Sequence, residues 1–256
     1  MKRLIAILLS FFMSGSLEAA ISYDNSSQTT VGSGNISYTL TVAANATYVF
    51  VGIGCSDGTL AATPSVTVGG TAATKIDSNN NSGWGWLFGI ASPPTGSDTI
   101  SITFTSPANT LNCASASLSL LGTSTAGNLT ALDVHTNAGG AGDPGGGSLT
   151  ANATTDATVD FIYVNGSLAS NLAASNSQTI KQNINDSING QGAALSLLLT
   201  PINGSNTLHY TNTNTNGWDW SAASIKVGSS AAVAGVSRGL ELQGGKINIM
   251  GKINIL

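Results

Sequence analysis

Charge is what this chain has least of. Only 8% of its 256 residues are Asp, Glu, Lys or Arg, against roughly a quarter in an ordinary soluble domain. Glutamate is nearly missing, with Glu18 and Glu241 the only two. Between residues 21 and 228 the basic residues are Lys75, Lys181 and Lys226. A nucleic-acid surface needs several clustered cations, so nucleic acid is excluded as a partner. An anionic membrane surface is excluded on the same ground. Histidine is limited to His135 and His209, and cysteine to Cys55 and Cys113. Beyond the N-terminal segment no run is apolar enough to span a membrane.

Ser, Thr, Asn and Gly supply the missing polarity, and hydrophobic residues make up 41%. That is enough apolar material for a core and argues against general disorder. With short β-rich runs, the composition fits an extracellular β-sandwich better than a cytosolic enzyme. The N-terminus, MKRLIAILLSFFMSGSLEAA, has the layout of a signal peptide over residues 1–20. Lys2 and Arg3 form a charged region, and Leu4 to Met13 an apolar stretch too short to cross a bilayer. Cleavage is expected near Ala19 or Ala20, although Leu17 or Glu18 then falls where a small residue is preferred. The alternative is an uncleaved, buried N-terminal strand or helix. No Cys stands at the cleavage point to carry a lipid. Loss of Lys2, Arg3 and Glu18 leaves 6 basic and 11 acidic residues, a net charge of −5.

Two stretches organise the remainder. Thr47–Cys55 (TYVFVGIGC) and Thr158–Val164 (TVDFIYV) are rich in β-branched and aromatic residues, and read as the central strands of two sheet halves packed on each other. Ile36–Ala43 and Asp98–Thr105 alternate with the period of half-buried strands. Gly69-Gly70 between two short alternating runs is a two-residue hairpin signal. Trp84–Ala91 and Cys113–Leu121 complete the first half. Residues 122–146 read as a long connection, with a short strand around Leu132 and Val134. The second half runs through Ser148–Ala151, Gln178–Gln182, Ala193–Thr200, Thr207–Thr211 and Trp218–Val227. Turn signals about every ten residues argue for an all-β, two-sheet antiparallel sandwich over residues 21–228. NNNSGWGWLFGIA and NTNTNGWDWSAAS echo each other too briefly to establish a repeat. A small-residue linker, 229–239, then leads to a β tail, 240–256, in which GKINI occurs twice. The even offset puts Ile247, Ile249, Ile253 and Ile255 on one side of an extended strand. Such an extra C-terminal strand needs a partner in its own domain or in a neighbouring subunit.

YVFVGIGCSDG, PSVTVGGTAATKI, SPPTGSDTISITF, LSLLGTSTAGNLTALDV, DATVDFIYVNG and WDWSAASIKV follow one another in an order that resembles a family of secreted jelly-roll-like domains, mostly uncharacterised, of bacterial surface and phage proteins. The resemblance covers about residues 27–228. It implies a jelly-roll-like sandwich used for display, adhesion or glycan contact, and transfers no catalytic residue. The GKINI tail lies outside it.

Candidate chemistry is sparse. Asp133 and His135 share a face of an extended segment, but no further His or Cys is near, so an ordinary polar pair is the better reading and no metal site is assigned. No Ser sits in a nucleophile-elbow setting. Asp57, Asp77, Asp133, Asp143 and Asp219 have no spacing that brings two of them together for glycoside hydrolysis. No enzyme activity and no cofactor are expected; SDG at Ser56 and GDPGGG at Gly142 are incomplete Ca²⁺ loops. Trp84 with Trp86, and Trp218 with Trp220, put two rings on one strand face. They are either core or, if exposed, a platform for stacking on sugars. Nine N-x-Ser/Thr triplets occur, at Asn25, Asn35, Asn45, Asn80, Asn128, Asn152, Asn165, Asn185 and Asn203, and glycosylation there depends on the host. An exported chain with two cysteines suggests a Cys55–Cys113 disulfide. Against it, Cys55 lies on the face of Val49, Val51 and Ile53, whereas Cys113 lies opposite the apolar face of Ala114, Ala116, Leu118 and Leu120. The expectation is therefore a secreted or surface structural and adhesive sandwich, self-associating through its C-terminal strand. The alternative is a carbohydrate-binding module using the paired tryptophans.

Overall fold

The computed structural model describes residues 20–31, 34–56, 63–79, 83–105, 112–123, 134–141, 146–151, 156–165, 172–174, 177–188, 190–201, 204–211, 217–226, 239–243 and 246–250. Every regular element among them is a strand, and every pairing is antiparallel. Residues 1–19 of the expected signal peptide fall outside these residues, as do Asp57, Asp133, Asp143, Ile253 and Ile255. Of β10 (Val134–Ala141), which contains His135, only the backbone is described.

The first half holds β1 (Ser22–Val31), β2 (Ile36–Val42), β3 (Ala46–Cys55), β4 (Ser65–Val68), β5 (Thr71–Ala72), β6 (Thr74–Asn79), β7 (Trp84–Ala91), β8 (Gly96–Thr103) and β9 (Cys113–Leu121). Its main sheet has the order β1-β9-β3-β7-β6, and a smaller sheet has the order β2-β8-β4-β5. The second half holds β10, β11 (Gly146–Ala151), β12 (Ala157–Asn165), β13 (Ala173–Ala174), β14 (Thr179–Asp186), β15 (Gln191–Leu198), β16 (Gly204–Thr211) and β17 (Gly217–Ile225). Its main sheet is β10-β17-β12-β15-β14 and its smaller one β11-β16-β13. Taken in chain order, the two sets of connections are the same, with β5 the one strand lacking a counterpart. The fold is an internal duplication.

Three apolar layers hold four sheets. Between the sheets of the first half lie Val49, Val51, Ile53, Trp86, Phe88 and Ile90 of the main sheet with Ile36, Leu40, Val66, Val68, Ile100 and Ile102 of the smaller one. The second half repeats this with Ile162, Val164, Trp220 and Ala222 against Leu149, Leu208 and Tyr210. The two main sheets then meet back to back through Tyr48, Phe50, Leu87, Leu118 and Leu120 on one side and Val159, Phe161, Tyr163, Leu195, Leu197 and Ile225 on the other. Here β3 lies on β12, β9 on β15, β7 on β17, β1 on β14 and β6 on β10. Exchanging the halves maps this set onto itself, as an isologous dimer interface would. Both central strands are covered on both faces, which is why they read as near-continuous apolar runs rather than alternating ones.

The all-β antiparallel architecture and the placing of the two central strands agree with expectation, but each main sheet carries a further sheet on its outer side. Two elements differ. β1 is polar (SYDNSSQTTV) and has no hydrophobic alternation. Asp24 fastens it, accepting from the Ser119 Oγ at 2.7 Å and the Ala43 N–H at 2.9 Å. The expected connection 122–146 does hold a strand at Val134, but that strand is the eight-residue β10, which runs on through the small residues from Asn137 to Ala141. The two tryptophan segments are not counterparts either. They are β7 and β17, which pack across the interface, whereas duplication pairs β7 with β15. The Gly69-Gly70 hairpin is present, with φ of +54° and +80°.

The C-terminal segment lies outside the compact unit of residues 20–227. In it β18 (Gly239–Gln243) pairs with β19 (Lys246–Met250), with Leu240 opposite Ile249 and Leu242 opposite Ile247. The strand partner expected for the first GKINI copy is thus the five residues just before it.

Candidate functional site

Cys55 and Cys113 are directly opposite in the β3–β9 ladder and form a disulfide, with a Cα–Cα distance of 4.2 Å. The facing argument against it fails because it gave β9 one buried face. Ala114, Ala116, Leu118 and Leu120 point toward the second half, and Cys113, Ser115, Ser117 and Ser119 are equally buried on the other side. The serines there are satisfied locally; the Ser115 Oγ lies 2.9 Å from the Gly52 carbonyl and 3.0 Å from the Tyr38 hydroxyl.

The tryptophans are mainly core. Trp86 and Trp220 are 1% and 0% exposed, so neither ring can receive a sugar. Trp84 and Trp218 are half-buried and packed against the same apolar layers. Trp84 and Trp86 stack at 5.4 Å with planes 5° apart, and Trp86 of this stack belongs to the apolar layer of the first half.

Sugar attachment is also constrained. Asn35, Asn45 and Asn185 are exposed. Asn25 and Asn165 are half-buried, and their side-chain amides donate to the Thr41 carbonyl at 3.0 Å and the Ser56 carbonyl at 3.1 Å. Among the described residues no three His, Cys, Asp or Glu side chains gather as a metal site would need, and no helix is long and apolar enough to cross a membrane.

Two buried carboxyls stand out. Asp77 of β6 reaches the second half, accepting from the Ala222 N–H at 3.2 Å and from its own neighbour's Ser78 N–H at 2.8 Å. Burial pushes its pKa up to about 7, against the pull of those N–H groups and of Lys75. Asp160 lies in the middle of β12, 1% exposed. Its Oδ2 accepts from the Trp220 Nε1 at 2.9 Å and its Oδ1 from the Ser196 hydroxyl. The Gln178 Nε2 is 3.1 Å from the Ser196 Oγ and 3.5 Å from the Asp160 Oδ2. The Gln178 Oε1 accepts from the His209 backbone N–H at 3.0 Å. Burial raises the Asp160 carboxyl above its ordinary value, against the hydrogen bonds from Ser196, Trp220, Tyr210 and Gln178. Asp160 was not among the candidate acids taken from the sequence. Its signal was present all the same, since a carboxylate in the middle of TVDFIYV must be paired once that strand is buried.

The seam between β1 and β14 is polar. Lys181 lies 4.4 Å over the Tyr23 ring, and the Gln182 Nε2 donates to the Ser26 Oγ at 2.7 Å. Further along, the strands diverge into a groove of about 330 Å³ flanked by Gln28, Thr30, Ile184 and Asp186, with the fully exposed Ile188 at its rim.

Comparison of the chain with protein-family models, with curated proteins and with solved structures finds no match.

Proposed function

We propose that the protein is an exported structural module, displayed outside the cell or on its surface, that self-associates through its C-terminal hairpin and performs no catalysis. The observation that carries this is the Cys55–Cys113 disulfide inside the first apolar layer, because such bonds form and persist in oxidising compartments. It agrees with the signal-like N-terminus and with the resemblance to secreted jelly-roll-like domains. The four-sheet body spends its large aromatic residues internally and offers a nearly uncharged, Ser/Thr/Asn-rich exterior, which suits a durable element of a surface layer or adhesin. Burial of Trp86 and Trp220 takes away the flat aromatic platform that a glycan-binding role was expected to use.

A two-stranded hairpin is marginal by itself, and its open edges are templates for adding strands of a neighbouring copy. Sedimentation of the exported protein, whole and with residues 239–256 deleted, tests the assembly. The whole chain should sediment as an oligomer and the truncated chain as a monomer with an unchanged melting temperature. Equal masses for the two would contradict the role of the hairpin. Two alkylatable thiols in the exported protein would contradict the compartment.

A further inference from the structure

The buried cluster at Gln178 contains every group needed for a chemical step, and nothing in the proposed structural role uses it. Ser196, on β15, is fully buried. Its hydroxyl donates to the Asp160 Oδ1, which is the arrangement of a nucleophile with its base. The Gln178 carboxamide, immediately before β14, has its nitrogen 3.1 Å from that hydroxyl oxygen, and the carbonyl carbon is one C–N bond, about 1.3 Å, beyond the nitrogen. The His209 N–H at 3.0 Å from Oε1 both fixes which end of the amide is oxygen and stands where a developing oxyanion would be stabilised. The Asp160 Oδ2, steadied by Trp220, lies 3.5 Å from the nitrogen that would leave. Nucleophile, base and oxyanion donor come from strands of one sheet and its cover, and the electrophile from the residue just before β14.

We propose that Ser196 and Gln178 join spontaneously in an intramolecular ester. The Ser196 Oγ attacks the Gln178 Cδ, so an Oγ–Cδ bond forms and the Cδ–Nε2 bond breaks. The hydroxyl proton passes to Asp160 on one carboxyl oxygen and is delivered from the carboxyl to the departing nitrogen, which leaves as ammonia. No oxidant or cofactor enters. Fixed neighbours supply a high effective concentration, and exclusion of water protects the ester once formed. The bond would tie β14, an edge strand, to β15, just as the disulfide ties β9 to β3 in the first half. Each half would then carry one covalent cross-link between adjacent strands of its main sheet.

Trypsin gives a direct reading, because Lys181 lies between the two residues and the flanking cuts fall at Lys75 and Lys226. The folded full chain is purified, then reduced, denatured and digested. The peptides 76–181 and 182–226 should emerge joined, one ammonia lighter than their sum, and hydroxylamine should separate them. Ser196→Ala and Asp160→Asn should each yield the two peptides apart and at full mass. Separate full-mass peptides from the wild-type protein after prolonged incubation would overturn the ester, and this readout does not depend on any variant folding.

Discussion

At the scale of single residues, the tightest constraints lie where the halves meet. A Cβ at Gly52 would fall 2.2 Å from the Phe161 ring, and one at Gly54 2.2 Å from the Tyr163 ring. Both contacts are side chain against a rigid aromatic in a packed layer, where added volume has no outlet. Gly52→Ala is therefore expected to destabilise by roughly 1–3 kcal/mol or more, read as a lowered urea midpoint; an unchanged midpoint would mean that the layers are not in contact there. Asp77 makes a pH-dependent contribution. Folded, it holds its proton up to about pH 7, whereas unfolded it releases the proton near 4. The folded state thus binds more protons between these values, and stability falls as pH rises through that window. The melting temperature should be lower at pH 7.5 than at pH 4.5, and Asp77→Asn should lose part of that slope; an identical slope in the variant would rule Asp77 out as its source. The residue scale was partly legible in the sequence. Asp160 announced itself as a charge within an apolar strand, but its partners Ser196 and Trp220 come from two other strands and Gln178 from just before a third, with no shared spacing.

At the scale of elements, covalent and polar fastening stand in for hydrophobic pattern. Replacing Cys55 and Cys113 together by Ala should cost about 2–4 kcal/mol, because 58 residues separate them and the unfolded chain regains the freedom of that loop. Chemical denaturation of the double variant checks this, and a loss near zero would mean that the bond does not form in the purified protein. The strands with strong apolar content were legible: β3, β7, β9, β12 and β17 all lie where their residues indicated. β1 was not, since it is a run of Ser, Thr and Asn, and of β10 only the start at Val134 was, since the strand ends in small residues. Both are held by backbone pairing with a neighbour already in place, β9 and β17 respectively. The face of β9 that carries Cys113 was read as unburied for a related reason. A strand covered on both sides has no polar face to betray its orientation, and its serines are buried by hydrogen bonding rather than exposed.

For the whole molecule, the duplication was almost invisible in the sequence. Equivalent strands β7 and β15 read WGWLFGIA and QGAALSLL, and the motif that does recur belongs to strands facing each other across the interface. Topology repeats while side chains diverge, because a buried face requires volume and apolarity and not particular residues. One half carries a disulfide between its central strands and the other a polar cluster. Phe50, Leu118, Phe161 and Leu195 pack in one layer between the halves, which should make the two a single cooperative body. Native-state hydrogen exchange of the purified protein tests this most directly. The amides of β3 and β12 should be the slowest in the molecule and should share one opening free energy, equal to that of global unfolding. If the amides of one half open at a clearly lower free energy than those of the other, the halves are independent domains and the account is wrong.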